Sequence, residues 1–76
     1  MKELVAEVAR LLVDEPSAVE VREVERPDGT VLELKVAPSD LGRIIGRQGR
    51  TARSLRALVA AAASKKSRRY QLEILE

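Results

Sequence analysis

The sequence predicts an α+β fold: one three-stranded mixed sheet covered on one face by three helices. Three observations carry that expectation. The apolar residues switch between helical spacing and strict alternation in the order α-β-β-α-α-β. A strong turn signal, Arg26-Pro27-Asp28-Gly29-Thr30, joins the first two alternating segments into a hairpin. Two helical patterns then separate the second and third strands, enough chain for a crossover that makes those strands parallel neighbours. With 76 residues the chain is expected to be one small domain, residues 1–76, that uses nearly all of its aliphatic residues. It has one Tyr, no Phe and no Trp, so its core must be Leu, Val, Ile and Ala.

The elements come in this order. Lys2 to Val13 reads as an amphipathic helix with Leu4, Val5, Val8, Leu11 and Leu12 at helical spacing. Asp14-Glu15-Pro16-Ser17 ends it, because the residue before a proline leaves the helical region. Ala18 to Arg26 is the first strand. Its alternation slips at Arg22-Glu23 and resumes at Val24, which either a bulge or one outward valine explains. Val31 to Ala37 is the second strand, with Leu32, Leu34 and Val36 inward. Pro38-Ser39-Asp40 opens a short helix through Ile45, with Asp40 as a helix-start residue and Ser39 placed to cap. Gly46 to Gly49 breaks that helix. Arg50 to about Lys65 is the longest helix, with Ala52, Leu55, Val59, Ala62 and Ala63 on one face. Tyr70 to Leu75 is the last strand, with Tyr70, Leu72 and Ile74 facing one way.

Composition removes whole classes of chemistry. With no Cys and no His there is no disulfide, no thiolate metal site, and neither the usual general base nor the commonest metal ligand. No cofactor and no enzymatic activity are expected, since no nucleophile–base pair can be assembled. No apolar run approaches the ~20 residues of a membrane span. No secretory leader is recognisable, so the chain reads as cytoplasmic with no membrane partner.

The net charge of +2 conceals a segregation. Residues 1–40 hold 5 Lys/Arg and 10 Asp/Glu, whereas residues 41–76 hold 9 Lys/Arg and 2 Asp/Glu. No acidic residue occurs between Leu41 and Leu72. Positive charge is thus concentrated on the glycine stretch and the long helical segment after it, as binding to nucleic acid requires.

That stretch is Leu41-Gly42-Arg43-Ile44-Ile45-Gly46-Arg47-Gln48-Gly49-Arg50-Thr51-Ala52. A Walker loop fails, because the position five after Gly42 is Arg47 and no Gly-Lys comes after it. A dinucleotide fingerprint fails because the spacing is G-x-x-x-G-x-x-G between two helices. A structural helix-turn-helix also uses a glycine turn, but with a longer apolar recognition helix and no hairpin before it. A plain helix–helix corner needs the glycines but not the arginine and glutamine between them. What remains is a helix-G-x-x-G-helix clamp for a phosphate backbone, with the bases in an aliphatic groove between the long helix and the neighbouring strand. The near-absence of aromatics argues against a base-stacking platform.

Ile44-Ile45-Gly46-Arg47-Gln48-Gly49-Arg50-Thr51-Ala52 matches the I-G-x-x-G core of KH domains, and the element order is similar to their type II topology. Glu20-Val21-Arg22-Glu23-Val24 and Val36-Ala37-Pro38-Ser39-Asp40-Leu41-Gly42 extend the likeness, and the chain over its full length resembles the KhpA (YlqC) family of small bacterial KH proteins. The resemblance implies an RNA-binding protein acting as a chaperone or post-transcriptional regulator, linked to cell shape and division. It also implies dimerisation, with itself or with a second KH protein of the KhpB type. By the same resemblance Gly46, Arg47, Gln48 and Gly49 form the clamp for single-stranded RNA, flanked by Ile45 and Arg50. Ala52 stands where many KH domains carry a larger aliphatic, which implies a wider and flatter groove.

Arg43, Arg53 and Arg56 are candidate secondary phosphate contacts. Lys65, Lys66, Arg68 and Arg69 lie at the far end of the long helix, where they either serve a longer RNA or complement the helix dipole, the second reading being slightly favoured. Ala57-Leu58-Val59-Ala60-Ala61-Ala62-Ala63 is apolar all round, either because a second chain packs there or because alanine is the best helix former. A protein-interaction adaptor built on the same fold is the alternative function.

Overall fold

Alternation and turn chemistry produce the sheet on which everything else is laid. In the computed structural model, which describes all 76 residues, the elements are α1 (Lys2–Leu12), β1 (Glu20–Arg26), β2 (Gly29–Lys35), α2 (Leu41–Ile45), α3 (Arg50–Ala63) and β3 (Tyr70–Ile74). The sheet order is β1-β2-β3. β1 pairs with β2 antiparallel from Glu20↔Lys35 to Arg26↔Gly29, and β2 pairs with β3 parallel from Thr30↔Tyr70 to Leu34↔Ile74. This is the expected mixed sheet, with three helices on one face. No helix is long and apolar enough to cross a membrane.

The β1–β2 register is unbroken over seven pairs, so there is no bulge. Val24 faces away from the helices, opposite Val31, while Val19 and Val21 face them. Element ends shift by a few residues from the sequence expectation. Pro16–Ala18 form a 3₁₀ turn, so β1 starts at Glu20, and β2 is over by Lys35.

Ten buried residues make the core: Leu32, Leu34 and Val36 of the central strand segment, Val19 and Leu72 beside them, and Val5, Ala9, Ile44, Leu55 and Val59 from the helices. α1 meets the core through Val5 and Ala9, one turn apart. Leu4, Leu11 and Leu12, expected on that face, are exposed, and Leu11 is 85 % accessible. The helix is rotated so that its small residue Ala9 comes close to the sheet, which leaves the leucines on the flank.

Asp40 does something the sequence did not reveal. It precedes α2, but no side chain caps that helix. Asp40 is 1 % exposed, and its carboxylate accepts the backbone N–H groups of Asp14 and Glu15, both at 3.0 Å. Ser39 also fails to cap, donating instead to Glu15 Oε2 at 3.0 Å. Asp40 therefore ties the end of α1 to the start of α2 across 26 residues. Asp40→Ala should strand two amides and cost about 2–3 kcal/mol in urea denaturation, whereas Asp40→Asn, which keeps one acceptor, should cost less. An unchanged midpoint for Asp40→Ala would contradict this role.

Candidate nucleic-acid interface

The two adjacent isoleucines of α2 point in different directions. Ile44 is fully buried in the core, and Ile45 lines a surface groove. Gly46 then turns the chain, its N–H closing α2 on the Gly42 carbonyl at 2.8 Å. Three positive-φ residues accomplish the reversal: Gly46 (φ 78°), Gln48 (φ 57°) and Gly49 (φ 73°).

The two glycines are required for different reasons. Gly46 has ψ 167°, a region open essentially to glycine alone. A Cβ there would lie 2.7 Å from the Thr51 backbone nitrogen and overlap Thr51 Oγ1. Gly49 is in the ordinary left-handed region, and a Cβ there would meet nothing nearer than Arg53 Nη1 at 3.5 Å. Gln48 occupies that left-handed region without the freedom of glycine, at a cost of about 1 kcal/mol. Arg53 braces it from α3, donating from Nη1 to the Gln48 carbonyl at 2.8 Å.

The predicted site residues separate into three groups. Gly46, Arg47, Gln48 and Gly49 form the turn. Arg47 and Gln48 are exposed at its tip, and the Arg47 guanidinium has no ion-pair partner. No side-chain oxygen caps α3, so the amides of its first turn face this tip without a local anion. Ile45, Gly49 and Arg53 line a groove of about 320 Å³ together with Ala52, Arg56, Ile74 and Glu76. Arg56 is anchored there, its Nε donating to the Leu72 carbonyl at 3.3 Å. The groove lies between the long helix and β3, with Ile45, Ala52 and Ile74 as its apolar part and Arg53, Arg56 and Glu76 as its charged part.

Two residues lie elsewhere. Arg43 pairs with Asp14 at 3.0 Å and with Asp40 Oδ1 at 3.6 Å, supporting the brace between α1 and α2. Arg50 lines a different cleft, between α1 and α3, with Val8, Leu12, Thr51, Ser54, Leu55 and Leu58. Ile74 and Glu76 were missed by sequence reasoning. The alternation of the last strand put Ile74 on the helix-facing side, but nothing in the sequence placed its end beside the turn.

The different roles of the two glycines predict unequal penalties. Gly46→Ala should cost at least ~3 kcal/mol, because neither the backbone conformation nor the Thr51 amide can yield. Gly49→Ala should cost only about 1–2 kcal/mol. Equal losses in denaturant titrations would contradict the geometry.

The family model described as KhpA/KhpB, KH domain, matches residues 2–74. RNA-binding protein KhpA of Caldanaerobacter subterraneus subsp. tengcongensis is 51 % identical over 75 residues, covering 99 % of this chain and all of the relative. The protein of the same name from Clostridium perfringens is 48 % identical over 75 residues, with the same coverage. That of Borreliella burgdorferi is 47 % identical over 74 residues, covering 97 % of this chain and 90 % of the relative. No solved structure matches the chain.

Proposed function

The chain belongs to the KhpA/KhpB KH-domain family, and from that premise we propose that it is a non-catalytic, cytoplasmic protein that holds single-stranded RNA. Residues 1–76 act as one KH domain and serve as an RNA chaperone or post-transcriptional regulator. The observation that carries this reading is the Gly46–Gly49 turn: positive φ at three of its four residues, with the unpaired Arg47 and the exposed Gln48 at its tip beside a groove walled in part by Ile45, Ala52 and Ile74. The relatives that bear the name RNA-binding protein KhpA support it.

In this mechanism the phosphates approach Gly46 and Gly49, where no side chain stands in the way. The α3 N-terminus contributes a positive dipole end, and Arg47 and Gln48 contribute charge and hydrogen bonds. Bases enter the groove against Ile45, Ala52 and Ile74. Arg53 and Arg56 bear on the strand as it passes, although each also holds a backbone carbonyl. Arg50 attracts the polyanion at longer range. Arg43 belongs to the structural brace and is a background charge.

One such clamp covers about four nucleotides, so a lone domain binds weakly and loses affinity steeply with salt. Arg47→Asp/Gln48→Asp should abolish binding of a single-stranded oligoribonucleotide in fluorescence anisotropy while leaving thermal unfolding nearly unchanged. Wild-type affinity in that double variant would show that the turn is not the clamp.

An adaptor role has its own supporting observation. The cleft of about 330 Å³ between α1 and α3 is walled by Val8, Leu12, Leu55 and Leu58, and α1 exposes Leu4 and Leu11 close by. Ala57, Ala60 and Ala61 are exposed on α3 as well. A second KH domain, from the same chain or a KhpB-like protein, would cover this surface and join two clamps, raising affinity through multivalency. Sedimentation over a concentration series should show a dimer, and a monomer throughout would remove the self-pairing form. Capture experiments with nuclease treatment separate the two functions, since partners that all survive nuclease favour the adaptor.

A further inference from the structure

α3 ends at Ala63, and none of the four cations after it lies in the last helical turn. The Ser64 and Lys66 N–H groups donate back to the Ala60 and Ala63 carbonyls at 3.1 and 2.9 Å, so backbone groups close the helix. The helix dipole acts mainly within the last turn, so it reaches Lys65 and Lys66 just beyond Ser64 more than Arg68 and Arg69.

The loop that carries them is fixed to the hairpin. Arg68 donates from Nε to Thr30 Oγ1 at 3.0 Å and from Nη2 to the Glu25 carboxylate. The Arg69 carbonyl accepts the Thr30 N–H at 2.9 Å. Gly29 makes this approach possible, because a Cβ there would lie 2.6 Å from that carbonyl oxygen. Arg68 is thereby used as an anchor. Lys65, Lys66 and Arg69 remain exposed without ion-pair partners, as does Arg26 at the hairpin end. Arg26 points instead to the open face of the sheet, where it lines a cavity of about 340 Å³ with Val31, Gln71 and the carboxylates Asp28 and Glu73, so it stands apart from the α3 side.

We infer that Lys65, Lys66 and Arg69 form a second phosphate-contacting patch that takes the continuation of the RNA strand held by the Gly46–Gly49 turn. This rests on the RNA-binding reading of that turn. The two patches mark opposite ends of α3, whose 14 residues span about 21 Å. A track joins them. α3 packs along the edge strand β3, and Arg56 reaches Leu72 midway. Ile74 lies at the turn end of β3, and Tyr70 adjoins Arg69 at the other. At ~3.4 Å per stacked nucleotide, 21 Å is about six nucleotides beyond the clamp's four, so a strand of roughly ten reaches both patches.

The test compares oligouridines of about five and about sixteen nucleotides, lengths chosen to fit the clamp alone or the clamp and patch together. Extra binding registers favour the longer strand by roughly tenfold on their own, so the deciding readouts are the salt slope and the ratio of wild type to variant. Wild type should show a log–log salt slope steeper by about 2 on the long strand, as about three added phosphate contacts require. Lys65→Gln/Lys66→Gln/Arg69→Gln should bind the short strand like wild type, bind the long strand about tenfold more weakly, and lose the added slope. The milder Lys65→Gln/Lys66→Gln should lose part of it, with circular dichroism melts checking the fold of each. Equal wild-type slopes at both lengths, or equal weakening of both strands in the triple variant, would overturn the second patch while leaving the clamp in place. Failure of wild type to bind either strand would overturn both readings together.

Discussion

The reversal between α2 and α3 has no room for a side chain at Gly46, and the arrangement of the basic half depends on that restriction. Both flanking helices are seated in one core, α2 through Ile44 and α3 through Leu55 and Val59. The four residues between them must close the gap, and the chain does so with positive φ at Gly46, Gln48 and Gly49. The strain at Gln48 is retained because Arg53 and the packed helices determine its position. Arg47 and Gln48 are therefore presented on a stiff turn. A backbone ligand meets preorganised groups and loses little binding energy to ordering them.

Charge is divided between structure and surface. Asp40 and Asp14 use Arg43, Glu25 uses Arg68, and Glu33 takes Arg22 at 3.8 Å. Each of these pairs joins the acidic first half to a neighbouring segment, and all but Arg22–Glu33 reach into the basic second half. Among the cations left without a carboxylate in the second half, Arg47 and Arg50 lie at one end of α3 and Lys65, Lys66 and Arg69 at the other, with Arg53 and Arg56 between them bonded to backbone carbonyls. Apart from the pair to buried Asp40, these pairs are largely exposed and add little to stability, so their main effect is to fix loops and to determine which arginines stay free.

Much of this was legible in the sequence because it is local. The hairpin came from Pro27-Asp28-Gly29, the parallel β2–β3 pair from the two intervening helices, and the broken helix from Gly46 and Gly49. Features that depend on distant partners could not be read. Asp40 resembles a helix start in sequence, and only the arrival of the Asp14–Glu15 amides makes it a brace. Arg43 and Arg50 look equivalent to Arg47 until the direction of each helix face is known. Ile44 and Ile45 read as one apolar pair, although one belongs to the core and the other to the groove. Leu11 matched the helical period, yet close packing at Ala9 turned it outward. At Val24, periodicity allowed two answers, and the strand register decides between them.

Amide chemical shifts of the isotopically labelled chain, monitored as a short single-stranded RNA is added, examine the clamp most directly. Binding through the turn predicts the largest changes at Ile45 through Thr51 and at Ile74 across the groove, with the open face of the sheet unmoved. Changes confined to the α1–α3 cleft around Leu12 and Leu58, or the absence of any change at Gly46 through Gly49, would contradict it.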